Sequence, residues 1–389
     1  MSTSRKVHMK ISRSLRGGAA IAAVLLAVTA PSAFAVDFKG AGASSVNNFI
    51  AACKNSYQTA TGDSFVYTGT GSGDGKKAMD NKTHDFAFSD SANTNATKLA
   101  TQIHIPLVAW PVAVMTNLGT TRQLTLSSDT IAKIFAKQIK VWNDPAIVAD
   151  ANRTVDVVVY KKQNGQVVKD KNGAPVVLRT QKVTRYFTLP NKPIVVIYRS
   201  GTSGTTNNFT KALNALAPTV WTKPGNDSFV TAFPGDVASD PVGLRAGVGS
   251  AGIGQLVKDT RYSIAYNEVS FAKSYGLQTV NVLNPSGNEV SPATEGVLTA
   301  FSAAKIDDTT GLVTFDYKSK LPGQYPFSAT TYGMVLTGAD KSSSIAAVKK
   351  MFEYHAFECP KLFPEQGMAV TTKDSDLGKA IIKLLGKLN

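Results

Sequence analysis

The feature that most restricts the fold is a unit that occurs four times: a predicted strand, a turn of glycine and small hydroxyl residues, and a predicted helix. Short apolar strands alternate with helical patterns through most of the chain, which is typical of an α/β sheet. We therefore predict an α/β fold. The four turns are GAGASS (residues 40–45), GTGSGDG (69–75), FSDSA (88–92) and RSGTSGTT (199–206).

Each of these turns is a candidate anion site because a helix is predicted to follow it. The first N–H groups of a helix have no intrahelical acceptor and lie at the positive end of the helix dipole, so they attract anions. Serine and threonine hydroxyls add donors, and Arg199 adds a planar, charged guanidinium. One turn alone is more often a tight turn with a helix cap, and only the four together favour an anion site.

The glycine-rich segments match no nucleotide or nucleophile motif. In GTGSGDGK, Asp74 occupies the last glycine position of the dinucleotide fingerprint, and Thr70 occupies the first glycine position of the P-loop. In GTSGT, Thr205 replaces the final glycine of the G-x-S-x-G nucleophile turn. The sequence therefore predicts neither a nucleotide site nor a hydrolase serine of that type.

The N-terminus has the pattern of a secretory signal peptide. Five basic residues precede the apolar stretch GGAAIAAVLLAVTA, and Ala33-Phe34-Ala35 is an A-x-A cleavage signal. We predict that residues 1–35 are removed and that the mature protein is periplasmic or fully secreted. The alternative is a membrane anchor, but the apolar stretch is short for about 30 Å of hydrocarbon.

The charge of the chain restricts its partners. The sequence has 42 Lys and Arg against 27 Asp and Glu, and five of the basic residues lie in the predicted signal peptide, so the mature chain carries +10. No dense basic block is evident, which argues against a nucleic-acid partner. The charge suits a small anion or an anionic cell surface.

The cysteines and histidines indicate no metal or cofactor. Cys53 and Cys359 are far apart, and in an exported chain they form either one disulfide or two separate buried thiols. The histidines of the mature chain, His84, His104 and His355, have no metal-ligand spacing.

The length of the mature chain predicts two domains rather than one core. Residues 154–190 interrupt the alternation, since Asn164-Gly165 and Asn172-Gly173 are turn signals between β-branched runs. We predict a β-hairpin insertion there. Upstream, SSDTIAKIFAKQIKVW (127–142) predicts a capped amphipathic helix that starts near Ser128 or Asp129.

The order GAGAS, TGSGDG, FSDSA and RSGTSGTTNNF, followed by YSIAYNEVSFAKSYGL and NPSGNEVSP, resembles the periplasmic phosphate-binding proteins of ABC transporters. The resemblance covers nearly all of the mature chain apart from the insertion. It implies a two-domain, type II periplasmic-binding-protein fold with two crossover strands, residues 36–117 and 325–389 in domain I and 118–324 in domain II. It also implies a monomer that binds inorganic phosphate in the interdomain cleft and delivers it to an inner-membrane ABC permease.

The resemblance also implies which residues bind phosphate. The first turn supplies backbone and hydroxyl groups, the second a serine, the third an aspartate, and the fourth the arginine with its serine, glycine and threonine. In this sequence they are Ala43, Ser44, Ser45, Ser72, Asp90, Arg199, Ser203, Gly204 and Thr205.

Asp90 has a specific role under this resemblance. A carboxylate beside an oxyanion repels it unless it accepts a proton from it, and HPO₄²⁻ and H₂PO₄⁻ have a proton to donate whereas sulfate does not. The alternative role is a helix cap after FSD. The chain departs from the family pattern at two positions. Gly201 stands where the family usually has an aspartate that pairs with the arginine, and Ser45 stands where the family usually has a large apolar residue.

Two other functions fit parts of the sequence. A secreted phosphatase-like enzyme would act through a serine such as Ser72 or Ser203, but the sequence shows neither metal-ligand clusters nor a base beside these residues. An adhesion or matrix protein would reuse the same fold. The sequence also leaves open whether the ligand is phosphate, arsenate or a phosphate ester.

Overall fold

A computed structural model of the chain describes residues 36–369 and 372–388. The predicted signal peptide, residues 1–35, lies outside the described residues. Strands and helices alternate as predicted, so the fold is α/β. The strands are β1 (Asp37–Gly42), β2 (Ser64–Thr68), β3 (Phe86–Ser89), β4 (Gln102–Thr116), β5 (Leu124–Ser127), β6 (Thr154–Tyr160), β7 (Lys162–Gln163), β8 (Gln166–Val167), β9 (Val177–Thr184), β10 (Val195–Arg199), β11 (Leu244–Gly247), β12 (Ser263–Glu268), β13 (Gln278–Leu283), β14 (Asn288–Val290), β15 (Lys305–Ile306), β16 (Val313–Thr314) and β17 (Ser328–Leu336).

The helices lie between these strands and at the end of the chain. Short 3₁₀ turns at Val237–Ser239, Gly338–Asp340 and Pro364–Gln366 join some of the elements. The α-helices are α1 (Asn47–Thr61), α2 (Ser72–Asp80), α3 (Ser128–Phe135), α4 (Pro145–Ala151), α5 (Gly204–Leu216), α6 (Phe229–Ala232), α7 (Gly249–Asp259), α8 (Val269–Tyr275), α9 (Thr294–Ser302), α10 (Ile345–Phe357), α11 (Cys359–Leu362) and α12 (Asp376–Leu385).

The strands form a sheet whose two halves share β4. In the first half the order is β2-β1-β3-β17-β4, with β1 parallel to β2 and β3, and β17 antiparallel to β3 and β4. In the second half the C-terminal part of β4 pairs with β12 and β13, and β10 pairs in parallel with β11 and β12. β4 therefore crosses between the halves with β17 beside it, as a fold with two crossover strands requires.

Three of the four predicted units have the expected order of elements. The turns after β1, β2 and β10 lead into α1, α2 and α5. The prediction for FSDSA was wrong, because β3 ends at Ser89 and the next regular element is β4. The chain after Ser89 is held instead by side-chain bonds, one of them local, since Ser89 Oγ donates to Ser91 O (2.7 Å) and Asn93 N donates to His104 Nε2 (2.9 Å).

Helix α3 begins as predicted and ends early. It starts at Ser128, and the Ser127 hydroxyl accepts from Thr130 N at 3.2 Å as its cap. It stops at Phe135 because Lys137 has a φ of 59°, in the left-handed region that an α-helix does not use. The predicted pattern had continued to Trp142.

The insertion is a long antiparallel pair. Strand β6 pairs with β9, with a register shift at its outer end. The turn that leads back through β7 and β8 contains Asn164 and Gly165, both with positive φ (51° and 79°), as the Asn-Gly signal requires.

Cys53 on α1 and Cys359 at the start of α11 form a disulfide, with their Cα atoms 5.8 Å apart and a sequence separation of 306. Both side chains are fully buried. The bond therefore ties the first helix to the last part of the chain.

Candidate functional site

Asp90 is the centre of a buried cluster of hydroxyl groups. Its side chain lies just after β3 and is only 2% exposed. Oδ2 accepts from Ser45 Oγ at 2.8 Å and from Thr205 Oγ1 at 3.1 Å, while Oδ1 accepts from Thr331 Oγ1 at 2.8 Å. A carboxylate has about four acceptor positions, so one on Oδ1 remains for a further donor.

The cluster joins all four turns, since Ser45 of the first and Thr205 of the fourth donate to Asp90 of the third. Ser72, the first residue of α2, accepts from Asp90 N at 3.2 Å through its hydroxyl, whose hydrogen is left to donate. Gly204, the first residue of α5, lies so close that a Cβ there would be 2.7 Å from the Asp90 carbonyl carbon. Only glycine allows this approach, which places the start of α5 against Asp90.

Asp90 does not cap a helix. No helix lies between β3, which ends at Ser89, and β4, which begins at Gln102, so the capping role considered from the sequence is wrong. Burial raises the pKa of its carboxyl group, while the hydroxyl donors Thr331, Ser45 and Thr205 and the charge of Arg199 act in the opposite direction. The side chain is built to accept hydrogen bonds from several directions.

Arg199 ends β10 and is 3% exposed. Its Nε is buried without a hydrogen-bond partner among the described residues, and no acidic side chain there forms an ion pair with it. Burial lowers its pKa, while Tyr266 and Asp90 raise it. At Gly201 an added Cβ would meet nothing within 4 Å, so this departure from the family pattern leaves open space where a carboxylate usually stands.

Backbone donors at the helix starts are also unpaired. The N–H groups of Ser45, Ser72, Gly204 and Thr205 have no acceptor within residues 36–369 and 372–388. The Ser203 hydroxyl caps α5 by accepting from Thr206 N at 3.3 Å, which leaves its hydrogen to donate. A charged guanidinium and several N–H and O–H donors therefore share this buried region without enough acceptors.

Two residues of the first turn have other contacts. Ala43 N–H donates to Phe88 O at 2.8 Å, so it is not free for a ligand. Ser44 Oγ accepts from Ser250 N at 3.1 Å and lies 3.3 Å from Ser250 Oγ. The side chain of Ser44 thus links the first turn to the start of α7.

The sequence reasoning missed four residues of this region. Tyr266 Oη accepts from Arg199 N at 3.4 Å and fixes the end of β10. Thr331 donates to Asp90 from β17, and Asn208 Nδ2 donates to Asp90 O at 2.5 Å from α5. Ser250 alone had a visible signal, because GVGSAG (247–252) is a further strand–glycine turn–helix unit.

The described residues also bear on other kinds of site. No three His, Cys, Asp or Glu side chains in the described ranges are grouped to hold a metal ion. In the same residues no helix has the length and apolar character needed to cross a bilayer.

Comparison with known proteins identifies the family. The PBP superfamily domain matches residues 28–354 of this chain. The chain belongs to the PBP superfamily. Phosphate-binding protein PstS3 of Mycobacterium bovis is 30% identical to it over 308 residues, which is 76% of this chain and 72% of that protein. Phosphate-binding protein PstS of Haemophilus influenzae is 28% identical over 334 residues, 85% of this chain and 87% of the other. The family predicted from the motifs is thereby confirmed, and it is a family of binding proteins.

A solved structure supports the same fold. That of PfluDING, a high-affinity periplasmic phosphate-binding protein bound with phosphate, superposes on this PBP-superfamily chain with a TM-score of 0.62. The match covers 90% of this chain and 93% of that one at 22% identity. The fold is therefore that of the periplasmic phosphate-binding proteins.

Proposed function

We propose that this protein binds inorganic phosphate in the region between Asp90 and Arg199. The observation that carries the proposal is the buried guanidinium of Arg199, whose Nε has no partner, beside unpaired N–H groups at the starts of α2 and α5. Buried donors without acceptors are costly, so this arrangement is expected to exist for a ligand with many acceptors. Phosphate supplies them, and its own proton suits the open position on Asp90 Oδ1.

The names of the relatives support this choice of anion. The proteins of M. bovis and H. influenzae are both called phosphate-binding proteins. We propose by the same reasoning that the protein is exported to the periplasm or beyond, acts as a monomer and passes phosphate to an inner-membrane ABC permease. The two-domain division, with 36–117 and 325–389 in one domain and 118–324 in the other, is part of this proposal, and the crossing of β4 between the sheet halves supports it.

We further propose that the site performs no catalysis. A serine nucleophile needs a neighbouring base, but Ser72 and Ser203 both accept hydrogen bonds from backbone N–H groups, of Asp90 and Thr206 respectively. Neither hydroxyl is paired with a histidine or a carboxylate in the described structure. The arrangement supports capture and release of an unchanged anion.

Titration calorimetry tests the proposal directly. The protein is unfolded, dialysed free of ligand, refolded and titrated with phosphate, arsenate and sulfate, while native mass spectrometry identifies any anion retained before that treatment. We expect binding of phosphate, competition by arsenate and weak binding of sulfate. Binding of sulfate as tight as that of phosphate, or no heat with any of these anions, would contradict the proposal.

A further inference from the structure

Half of the net charge of the chain after Ala35 lies in the inserted hairpin. Residues 154–187 contain seven Lys and Arg and two Asp, a net charge of +5, whereas the whole chain after the predicted signal peptide carries +10. The sequence shows no dense basic block because these residues alternate with apolar and polar ones. The antiparallel pairing of β6 and β9 brings them together.

The cations at the outer end of the hairpin have no acidic partners. We call residues 161–179 the hairpin tip. Lys161, Lys162, Lys171 and Arg179 are exposed, and none forms an ion pair within the part of the chain that the structure describes. Asp170 is the single acidic residue of the tip. Its Oδ1 accepts hydrogen bonds from two backbone N–H groups of the turn and not from the cations.

The basic residues at the base of the hairpin, Lys182 and Arg185, are balanced. Lys182 lies 3.3 Å from Asp156 across the strand pair, and Arg185 forms a two-point ion pair with the buried Glu289. Lys169, within the tip, forms no ion pair among the described residues; burial lowers the pKa of its ammonium group, and the charge of Glu295 opposes that shift. The unbalanced charge is therefore concentrated in the tip and not at the base, where the hairpin joins the sheet.

An apolar side chain is exposed among these cations. Strand β9 has a bulge, in which Val177 opposes Tyr160 and Arg179 opposes Val159, so that Leu178 has no cross-strand partner. Leu178 is 57% exposed and Val177 39%. Bulges redirect side chains, and this one presents leucine beside Arg179.

These observations favour one class of partner. A nucleic acid is usually bound by cations together with aromatic side chains, and residues 161–179 contain no aromatic residue. Addition of another β-strand to the free edge of β9 is opposed by its charged side chains. Exposed aliphatic side chains with unpaired Lys and Arg are typical of segments that lie on anionic membranes.

We propose that the hairpin tip binds the surface of a bilayer that contains anionic phospholipids. The ammonium and guanidinium groups contact lipid phosphates, and Leu178 enters the boundary between headgroups and acyl chains. This interaction is independent of the anion site, and it would hold the protein close to the membrane where the proposed permease lies.

Vesicle sedimentation tests the proposal with the mature full-length protein. Vesicles of phosphatidylglycerol and phosphatidylcholine are compared with vesicles of phosphatidylcholine alone. The test variant carries Lys161→Gln, Lys162→Gln, Lys171→Gln and Arg179→Gln. The control carries Lys54→Gln, Lys98→Gln, Lys192→Gln and Lys258→Gln, which removes the same charge from exposed, unpaired lysines elsewhere.

We expect wild type to bind only the anionic vesicles, and the tip variant to bind them up to roughly 600-fold more weakly, since each of the four basic residues near an anionic surface contributes roughly fivefold. The control variant should lose much less. Both variants should keep wild-type thermal stability and phosphate affinity, because the changed residues are exposed. Equal losses in the two variants, or equal binding of wild type to both kinds of vesicle, would overturn the proposal.

A second variant separates a lipid surface from a hydrophilic polyanion. Leu178→Ser should weaken binding to anionic vesicles severalfold, because it removes the apolar contact, while binding to heparin stays unchanged. If Leu178→Ser binds the vesicles as wild type does, the tip recognises charge alone and the lipid proposal is wrong.

Discussion

Lys76 Nζ lies 2.6 Å from Asp227 Oδ2, and both side chains are largely buried. The two oxygens of Asp227 have different donors, since Ser91 Oγ donates to Oδ1 at 2.9 Å. The backbone carbonyl of Asp227 accepts from Ser203 N at 2.9 Å. One residue thus connects α2, the segment that carries Asp90 and the cap of α5. In the proposed domain division, Lys76 and Asp227 lie in different domains.

Asp227→Asn should make phosphate leave faster. The neutral amide cannot form an ion pair with the buried ammonium of Lys76. Closure of the site then loses a charged contact and leaves a buried cation without an anionic partner. We expect a dissociation rate raised at least tenfold with a nearly unchanged association rate, measured by stopped-flow fluorescence. Glu353→Gln, which removes the exposed ion pair with Lys373, is the control and should change neither rate. Equal dissociation rates in all three proteins would show that the contact does not hold the site closed.

Arg199→Met should separate stability from binding. The buried guanidinium is an uncompensated charge in the ligand-free protein, so its replacement by an apolar chain should raise the free energy of unfolding by about 1 kcal/mol. Phosphate binding should weaken by about 2–4 kcal/mol because the anion loses its charged donor. Chemical denaturation without phosphate and calorimetry with it measure the two effects. A variant that is less stable and binds phosphate normally would remove Arg199 from the site.

Asp90→Asn should reduce discrimination between phosphate and sulfate. The amide can donate to a fully ionised oxyanion, which the carboxylate repels, while the shape of the side chain is kept. Sulfate should therefore displace phosphate from the variant at lower concentrations than it does from wild type. Thr331→Val is the control, since it removes one donor to Asp90 and keeps the carboxylate. Identical competition by sulfate against wild type and Asp90→Asn would assign the choice of anion to other groups.

Glu268→Gln should change how stability depends on pH. Burial raises the pKa of Glu268 from 4.5 to about 8, against hydrogen bonds from Ser270 that lower it. The folded protein therefore keeps a proton that the unfolded chain releases, and this contribution to stability, complete below pH 4.5, is lost as the pH rises to about 8.

The variant has no such proton. Its free energy of unfolding relative to wild type should rise between pH 5 and pH 8 by at most about 1.4 kcal/mol per pH unit. Urea denaturation of both proteins across this range measures the difference. Parallel stability profiles would mean that Glu268 is ionised in the folded protein.

Reduction of the disulfide between Cys53 and Cys359 should lower thermal stability and leave phosphate affinity nearly intact. The bond closes a loop across 306 residues, and in the chain-entropy model a loop of this size stabilises by up to roughly 5 kcal/mol through the unfolded state. Calorimetric scans of oxidised and reduced protein, with phosphate titrations of each, separate the two effects. A large loss of affinity on reduction would show that the bond also shapes the site.

The proposed anion site was partly predictable from the sequence because its residues follow strands in one repeated local pattern. Ser72, Gly204 and Thr205 stand at helix starts, where glycine and hydroxyl residues have a recognisable purpose. Thr331 and Tyr266 lie within buried strands, where threonine and tyrosine are ordinary β-formers, so nothing in the local sequence distinguishes them. Their role arises only when distant strands are brought together.

The loop after β3 shows a different limit of prediction from the local sequence. FSDSA resembles the other turns in composition, yet no helix follows it, because the side chains of Ser89 and His104 satisfy the backbone there. His104 is more than ten residues away and on the next strand. A pattern read over a few residues cannot anticipate such a partner.

The position of β17 has a consequence for the order in which the chain can mature. This strand, residues 328–336, lies between β3 and β4, which are made more than two hundred residues earlier. A chain synthesised from its N-terminus can therefore pair β1 with β2 and β3 early, whereas β3 and β4 have no strand between them until most of the chain has been made. In the proposed export, this half of the sheet is completed only after β17 has crossed the membrane.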